Sequence, residues 1–284
     1  MTGTAAPGPK LDQDSEELAR DYEQVSRERQ LQSGKRLVQA LRLARGERVL
    51  DVGCGTGLLA EHVAGIVGPA GSVLGIDPLP LRIVLAESKA VPNLAFRVAS
   101  AYDLSFIADE SFDVVVLNAV LHWLPEKRGP MREFSRVLRP DGRIGIGGSS
   151  KDQAWALRAA WRQVMARQPF AAHPLPPADI VARVDQHELA ALLEAAGFAV
   201  TSVELNDSSF AHPSAEAAVR YAEASSFGNT LGHLPRELRA AASTAIVREL
   251  HSVAAPDGTI RQDGRRMVMV AVKRNRLDSG PQVR

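Results

Sequence analysis

Residues 49–65, VLDVGCGTGLLAEHVAG, constrain this chain more than any other stretch. An apolar run that reads as a buried strand ends in Gly53, Gly55 and Gly57, at alternate positions, and an amphipathic segment starts at once. Glycine adopts positive φ without steric cost and lets another group approach the main chain closely. The pattern therefore predicts a strand, a tight turn and a helix, with Leu58, Leu59, His62, Val63, Ile66 and Val67 on the helix's apolar face. A turn without a ligand needs fewer glycines, so the loop is expected to hold one.

The same alternation continues over residues 47–148. VLGID reads as a second strand, followed by a helix opened by Pro80 with Leu81, Val84 and Leu85 turned inward. AFRVA is a third strand. FDVVVLNAV is a fourth, whose β-branched run suits burial on both faces. Met131, Phe134, Val137 and Leu138 line a helix that stops at RPDG, and RIGIGG is a fifth strand. Strands alternating with helices predict a doubly wound, mostly parallel α/β sheet. Beyond it, Leu157, Trp161, Val164 and Met165 mark a helix, residues 186–196 another, and FAVTSVEL a strand. Helical sequence runs on to about His251, and DGRRMVMVAVKR forms a last strand.

Composition narrows the function. The formal net charge of +1 asks for neither nucleic acid nor an anionic membrane, and no apolar run approaches the roughly 20 residues of a membrane span. The single cysteine, Cys54, forms no intramolecular disulfide and no cysteine metal site. The histidines show no pairing with carboxylates at helical spacing, so no metal is expected. Residues 1–14 read as a disordered leader without secretory character, and 277–284 as a tail. A cytoplasmic protein is expected.

The loop spacing is G-x-G-x-G, with Asp51 two residues ahead of it, rather than the G-x-G-x-x-G of dinucleotide sites. An acidic residue is unwelcome beside a pyrophosphate but suits a cation. Asp77, at the end of the second strand, is placed to accept the two hydroxyls of a ribose. The expected ligand is a positively charged nucleoside.

VLDVGCGTG followed by VLGID, SFDVVVLNAVLHWL and EFSRVLRPDGRIGI resembles the class I S-adenosylmethionine-dependent methyltransferases, in their small-molecule branch. The resemblance implies a Rossmann-like, seven-stranded sheet with a helical lid: a single domain over 15–276, with a core at about 47–150 and lid helices from 15–46 and 151–250. It implies S-adenosyl-L-methionine as cofactor. Asp51, Gly53, Cys54, Gly55 and Gly57 would wrap its methionine part, and Asp77 would hold the ribose with Pro78 and Leu79 beside the adenine. Ser100, in ASAYD, stands where the family often carries an aspartate for the adenine amino group. Ser100 or Asp103 would substitute, with Ala101 and Tyr102 reaching the ring. Asn118 would sit below the methyl group.

The methyl acceptor is expected to be a small, apolar or aromatic molecule, methylated on oxygen before nitrogen or carbon. A lone cysteine disfavours arsenic methylation of the multi-thiol type. His122, after the fourth strand, is the candidate general base, or else it packs the loop or helps to hold the cofactor. Trp123 covers the adenine or the core. Tyr22, in a helical segment ahead of the sheet, touches the cofactor from a lid or packs its helix. A non-catalytic cofactor-binding module and a nicotinamide-dependent oxidoreductase are the rival readings.

Overall fold

The computed structural model describes residues 11–151, 155–174 and 181–275. The tail at 277–284 and residues 1–10 of the expected leader lie outside them. Residues 11–14 belong to the fold, which corrects the leader's boundary. Leu11–Gln13 form a turn of 3-10 helix, and Asp14 is buried against Arg82.

Helix α1 (Glu16–Leu41) starts at Ser15, whose hydroxyl accepts the Leu18 N–H at 3.2 Å. Then come β1 (Arg48–Val52), α2 (Leu58–Val67), β2 (Ser72–Asp77), α3 (Pro80–Glu87), β3 (Leu94–Val98) and β4 (Phe112–Asn118). They lead on to α4 (Arg128–Val137), β5 (Leu138–Ser149), α5 (Ala156–Met165) and α6 (Gln186–Ala195). After them follow β6 (Phe198–His212), α7 (Ala215–Ser225), α8 (Arg236–His251) and β7 (Ile260–Lys273).

The strands form one seven-stranded sheet in the order β3-β2-β1-β4-β5-β7-β6. The pairs among β1 to β5 are parallel, and β7 runs antiparallel to both β5 and β6. β4 explains why its sequence is a continuous apolar run. Val114 and Val116 pack with Leu37, Leu41 and Val63 on one face, while Val115 and Leu117 pack with Phe134, Leu189 and Met269 on the other. Connections leave β1 and β4 toward opposite edges of the sheet, which opens a crevice at their carboxyl ends.

The lid differs from its expected limits. α6 belongs to the core, because Leu189 and Leu193 are fully buried against the sheet. Its start is fixed by a capping box in which Asp185 accepts from Glu188 N–H and Glu188 from Asp185 N–H. α5, α7 and α8 share a separate apolar core around Leu157, Val164, Val219, Ile246 and Leu250. α1 serves both bodies, with Leu37 and Leu41 under the sheet and its earlier turns packed against α7.

α3 is rotated from its expected face. Leu81, Val84 and Leu85 were to point inward, yet the buried residues are Arg82, Ile83 and Ala86, and Val84 is 63% exposed. The apolar residues alone do not set the rotation, because a buried cation and its distant partner outweigh them. Unfolding measurements check this directly. Ile83→Ala is expected to cost about 2–5 kcal/mol and Val84→Ser about 0.5 kcal/mol or less. The reverse ranking would restore the apolar face.

Candidate active site

The loop after β1 is bent by three glycines in the left-handed region, with φ of 68° at Gly53, 56° at Gly55 and 83° at Gly57. Two serve different ends. At Gly53 a Cβ would come within 2.3 Å of the Val120 side chain, so the loop lies flush on the turn after β4. At Gly55 the nearest neighbour of a Cβ is the Tyr22 ring at 3.5 Å, which leaves the main chain bare toward the crevice.

Hydrogen bonds tie this loop to the end of β2. Gly53 and Cys54 N–H both donate to the Ile76 carbonyl, at 2.7 and 3.0 Å. Asp77 accepts the Gly55 N–H on Oδ2 and the Leu79 N–H on Oδ1, each at 3.0 Å. Burial nonetheless holds the Asp77 carboxyl above the usual carboxylate range, against the pull of those two amides and of Arg82.

Asp51 is 2% exposed, and its Oδ2 is buried with no hydrogen-bond partner among the described residues. Burial first, then the nearby Asp77 charge, pushes its pKa up to about 8. A buried acceptor without a donor is costly, so a cationic donor is the chemistry this position lacks. Cys54 is a thiol there rather than a thiolate, because burial, Asp51 and Asp77 all raise its pKa.

A cavity of about 740 Å³ opens over the loop. Gly53, Gly55, Asp77 and Pro78 line its floor, and Ser100, Ala101 and Tyr102 another side. Tyr22, Trp123, Phe227 and Asn118 also face it. Asp51 and Cys54 line a smaller space of about 40 Å³, which shares Tyr22, Gly53 and Asn118 with the main cavity. The bare Gly55 backbone and the Asp51 Oδ2 without a partner among the described residues fit a cationic nucleoside.

Several expected residues behave differently in place. Gly57 lines neither space; its Cβ would strike Phe96 at 2.7 Å, so its contribution is helix packing. The Asn118 amide is engaged by α1, accepting from Ser33 Oγ at 3.1 Å and donating to the Gln30 carbonyl at 3.2 Å. Ser100 Oγ accepts the Tyr102 N–H at 3.3 Å. Asp103 is exposed and caps Ser105 N–H at 3.0 Å instead of facing the cavity. The Tyr102 hydroxyl donates to the Glu126 carbonyl at 2.7 Å.

His122 is the main departure. It sits in the 3-10 turn Leu121–Trp123 but is not among the residues lining the cavity. Its ring packs beside Trp123, with centroids 4.9 Å apart, and its carbonyl accepts the Ala182 N–H at 2.8 Å. Burial, then the charges of Arg183, Arg266 and Lys127, lower its pKa to about 3. The ring is neutral at physiological pH and a weak base.

Sequence reasoning missed Arg82, Leu11 and Glu126, all of which line the cavity. Arg82 carried no periodic signal, and Leu11 fell in the supposed leader. Phe227 lines it as well. In place its ring lies 4.7 Å from Trp123's, across the cavity wall.

The methyltransferase-domain family model matches residues 50–146, which contain the loop, Asp77 and β4. The chain is 32% identical over 240 residues to nocamycin O-methyltransferase of Saccharothrix syringae, an alignment covering 78% of this chain and 84% of that one. It is 31% identical over 132 residues to demethylmenaquinone methyltransferase of Lactobacillus johnsonii, and spans only 54% of that relative's length. Among solved structures, the YcgJ protein of Bacillus subtilis superposes with a TM-score of 0.59 at 20% identity, over 86% of this chain and 99% of that one. That likeness concerns the fold. No helix among the described residues is long and apolar enough to cross a membrane. Similarity over 78% of the chain, the acid-flanked glycine loop and the sheet order agree: this chain belongs to the class I S-adenosylmethionine-dependent methyltransferases.

Proposed function

We infer that the protein transfers the methyl group of S-adenosylmethionine to an oxygen of a small, apolar or aromatic acceptor. The observation that carries the reading is the buried Asp51 Oδ2, without a hydrogen-bond partner among the described residues, beside the bare Gly55 backbone. The similarity to an O-methyltransferase over most of both chains favours oxygen. The apolar side chains of Trp123 and Phe227 favour an apolar acceptor body.

When bound, the cofactor supplies an electrophilic methyl group on a sulfonium. The chain's residues bind and orient. Asp51 is proposed to take the ammonium of the methionine part. Asp77 keeps a second lone pair on each oxygen for a ribose hydroxyl, even with the Gly55 and Leu79 amides in place. Pro78, Ser100 and Ala101 border the space proposed for adenine. Positioning of this kind supplies on the order of 7–11 kcal/mol in well-oriented systems, so catalysis does not require a general base.

His122 is assigned a shaping role. Once a panel of phenols, carboxylic acids and alcohols has yielded an acceptor, methyl incorporation detected by mass tests the assignment. Turnover of His122→Asn is expected to stay within about tenfold of wild type, with no inflection near pH 6.5 attributable to this ring. A loss of about 10²–10⁴ in kcat, at unchanged cofactor affinity, would return His122 to the role of base. If no acceptor is methylated while cofactor binds, the non-catalytic reading gains.

Asp51 gives a sharper test that needs no acceptor. With a pKa of about 8 it is mostly protonated at pH 7 in the free protein. A cationic partner stabilises the carboxylate, lowers that pKa and expels the proton. Calorimetry with S-adenosylhomocysteine, which carries the same ammonium, is expected to detect release of about one proton at pH 7, falling as the pH rises through about 8. Asp51→Asn abolishes the release and weakens binding about 10- to 150-fold. A binding enthalpy independent of the buffer's ionisation enthalpy at pH 7 rules out the pairing.

A further inference from the structure

The buried cation of α3 joins three separate parts of the chain. Arg82 is 2% exposed. Its Nε and Nη2 donate to the two carboxylate oxygens of Asp14, at 3.3 and 3.2 Å, and both side chains are almost fully enclosed. Nη2 also donates to the Ala224 carbonyl near the end of α7, at 3.0 Å. The guanidinium carbon lies 4.2 Å from the centroid of the Tyr22 ring in α1.

Each partner adjoins the cavity. Leu11 lines it three residues before Asp14, Tyr22 lines it directly, and Ser225 and Phe227 line it just after Ala224. Phe227 has φ of 45° and Gly228 of 80°, so this turn holds a bulky residue in the left-handed region. Such strain persists only where the surroundings impose it. Here they do: a Cβ on Gly228 would come 2.9 Å from the Gln13 carbonyl, and Arg239 reaches Gln13 Oε1 at 3.2 Å. The N-terminal segment and the turn after α7 are packed on each other as well as on Arg82. A forked guanidinium meets a carboxylate and a carbonyl together, which an ammonium does not reproduce.

We propose that Arg82 is a positioning residue that holds residues 11–24 and the turn after α7 as one wall of the cavity, so that loosening either releases both. Through it Tyr22 stands beside Gly55 and Phe227 against Trp123. The cofactor and acceptor sides of the cavity then open and close together. The inference rests on the methyl-transfer reading only in naming what the cavity holds.

Hydrogen exchange on the full chain, with calorimetric binding of S-adenosylhomocysteine, tests the wall in Arg82→Met, Arg82→Lys and Asp14→Asn. Arg82→Met is expected to raise exchange in 11–24 and 220–232 together, to leave residues 48–67 protected, and to weaken binding about tenfold or more. Arg82→Lys should behave similarly, because it keeps the charge but not the fork. Asp14→Asn, which touches only the N-terminal partner, should still loosen 220–232.

Opening confined to 11–24 in Asp14→Asn overturns the coupling. So does faster exchange spread evenly into 48–67, the sign of an ordinary stabilising arginine, or unchanged affinity in Arg82→Lys. Should Arg82→Met fail to fold, the other two variants decide. A wild type that binds no S-adenosylhomocysteine removes the cofactor reading, and the exchange pattern still decides the wall.

Discussion

The two hydrogen bonds that Asp77 accepts, one from Gly55 and one from Leu79, set the geometry on which the site depends. One carboxylate at the end of β2 pins the loop after β1 and opens the turn into α3. Without such an acceptor, those amides would lie at the crevice floor without partners. With it, three left-handed glycines are held in a single conformation, and the Gly55 backbone is presented bare to the cavity. The side chain expected to meet the ligand thus first builds the surface proposed for that ligand.

This arrangement leaves two buried carboxyls in one site, and the charge of Asp77 makes ionisation of Asp51 harder. Asp77 is compensated by backbone N–H groups and by Arg82, whereas Asp51 has neither. The difference divides their work: Asp77 organises the loop, and Asp51 is left as an acceptor in need of a donor. An unmatched buried group of this kind is tolerated where a ligand completes it.

Much of the architecture was legible in the sequence, because the relevant signals are local. β4 announced itself through six buried positions in a row, and the loop through glycines that only a tight turn explains. The rest required partners far away in the chain. Arg82 faces inward because Asp14, 68 residues earlier, neutralises it, and periodicity has no access to such a pair. Asn118 does end β4 as expected, yet Ser33 and Gln30 engage its amide. His122 fell at the proper edge of the sheet, but the Ala182 N–H on its carbonyl and the charges of Arg183 and Arg266 come from segments far along the chain. A sequence position placed it near the site; only packing decided which way the ring faces.

The electrostatics also bear on how such a site accelerates methyl transfer. A sulfonium donor loses its positive charge as the methyl group leaves. Carboxylates that help to hold the cationic donor therefore stabilise the ground state at least as much as the transition state, and contribute to binding rather than to rate. A neutral, weakly basic His122 adds little proton-transfer driving force. What remains is orientation: an apolar enclosure that sets one acceptor atom behind the methyl group and excludes water. That places the burden on the walls, and in this chain they belong to α1, to the turn after β4 and to the lid, whose own apolar core is separate from that of the sheet. On the proposed reading, acceptor choice changes through Phe227 and its neighbours without disturbing Asp77 or the glycine loop.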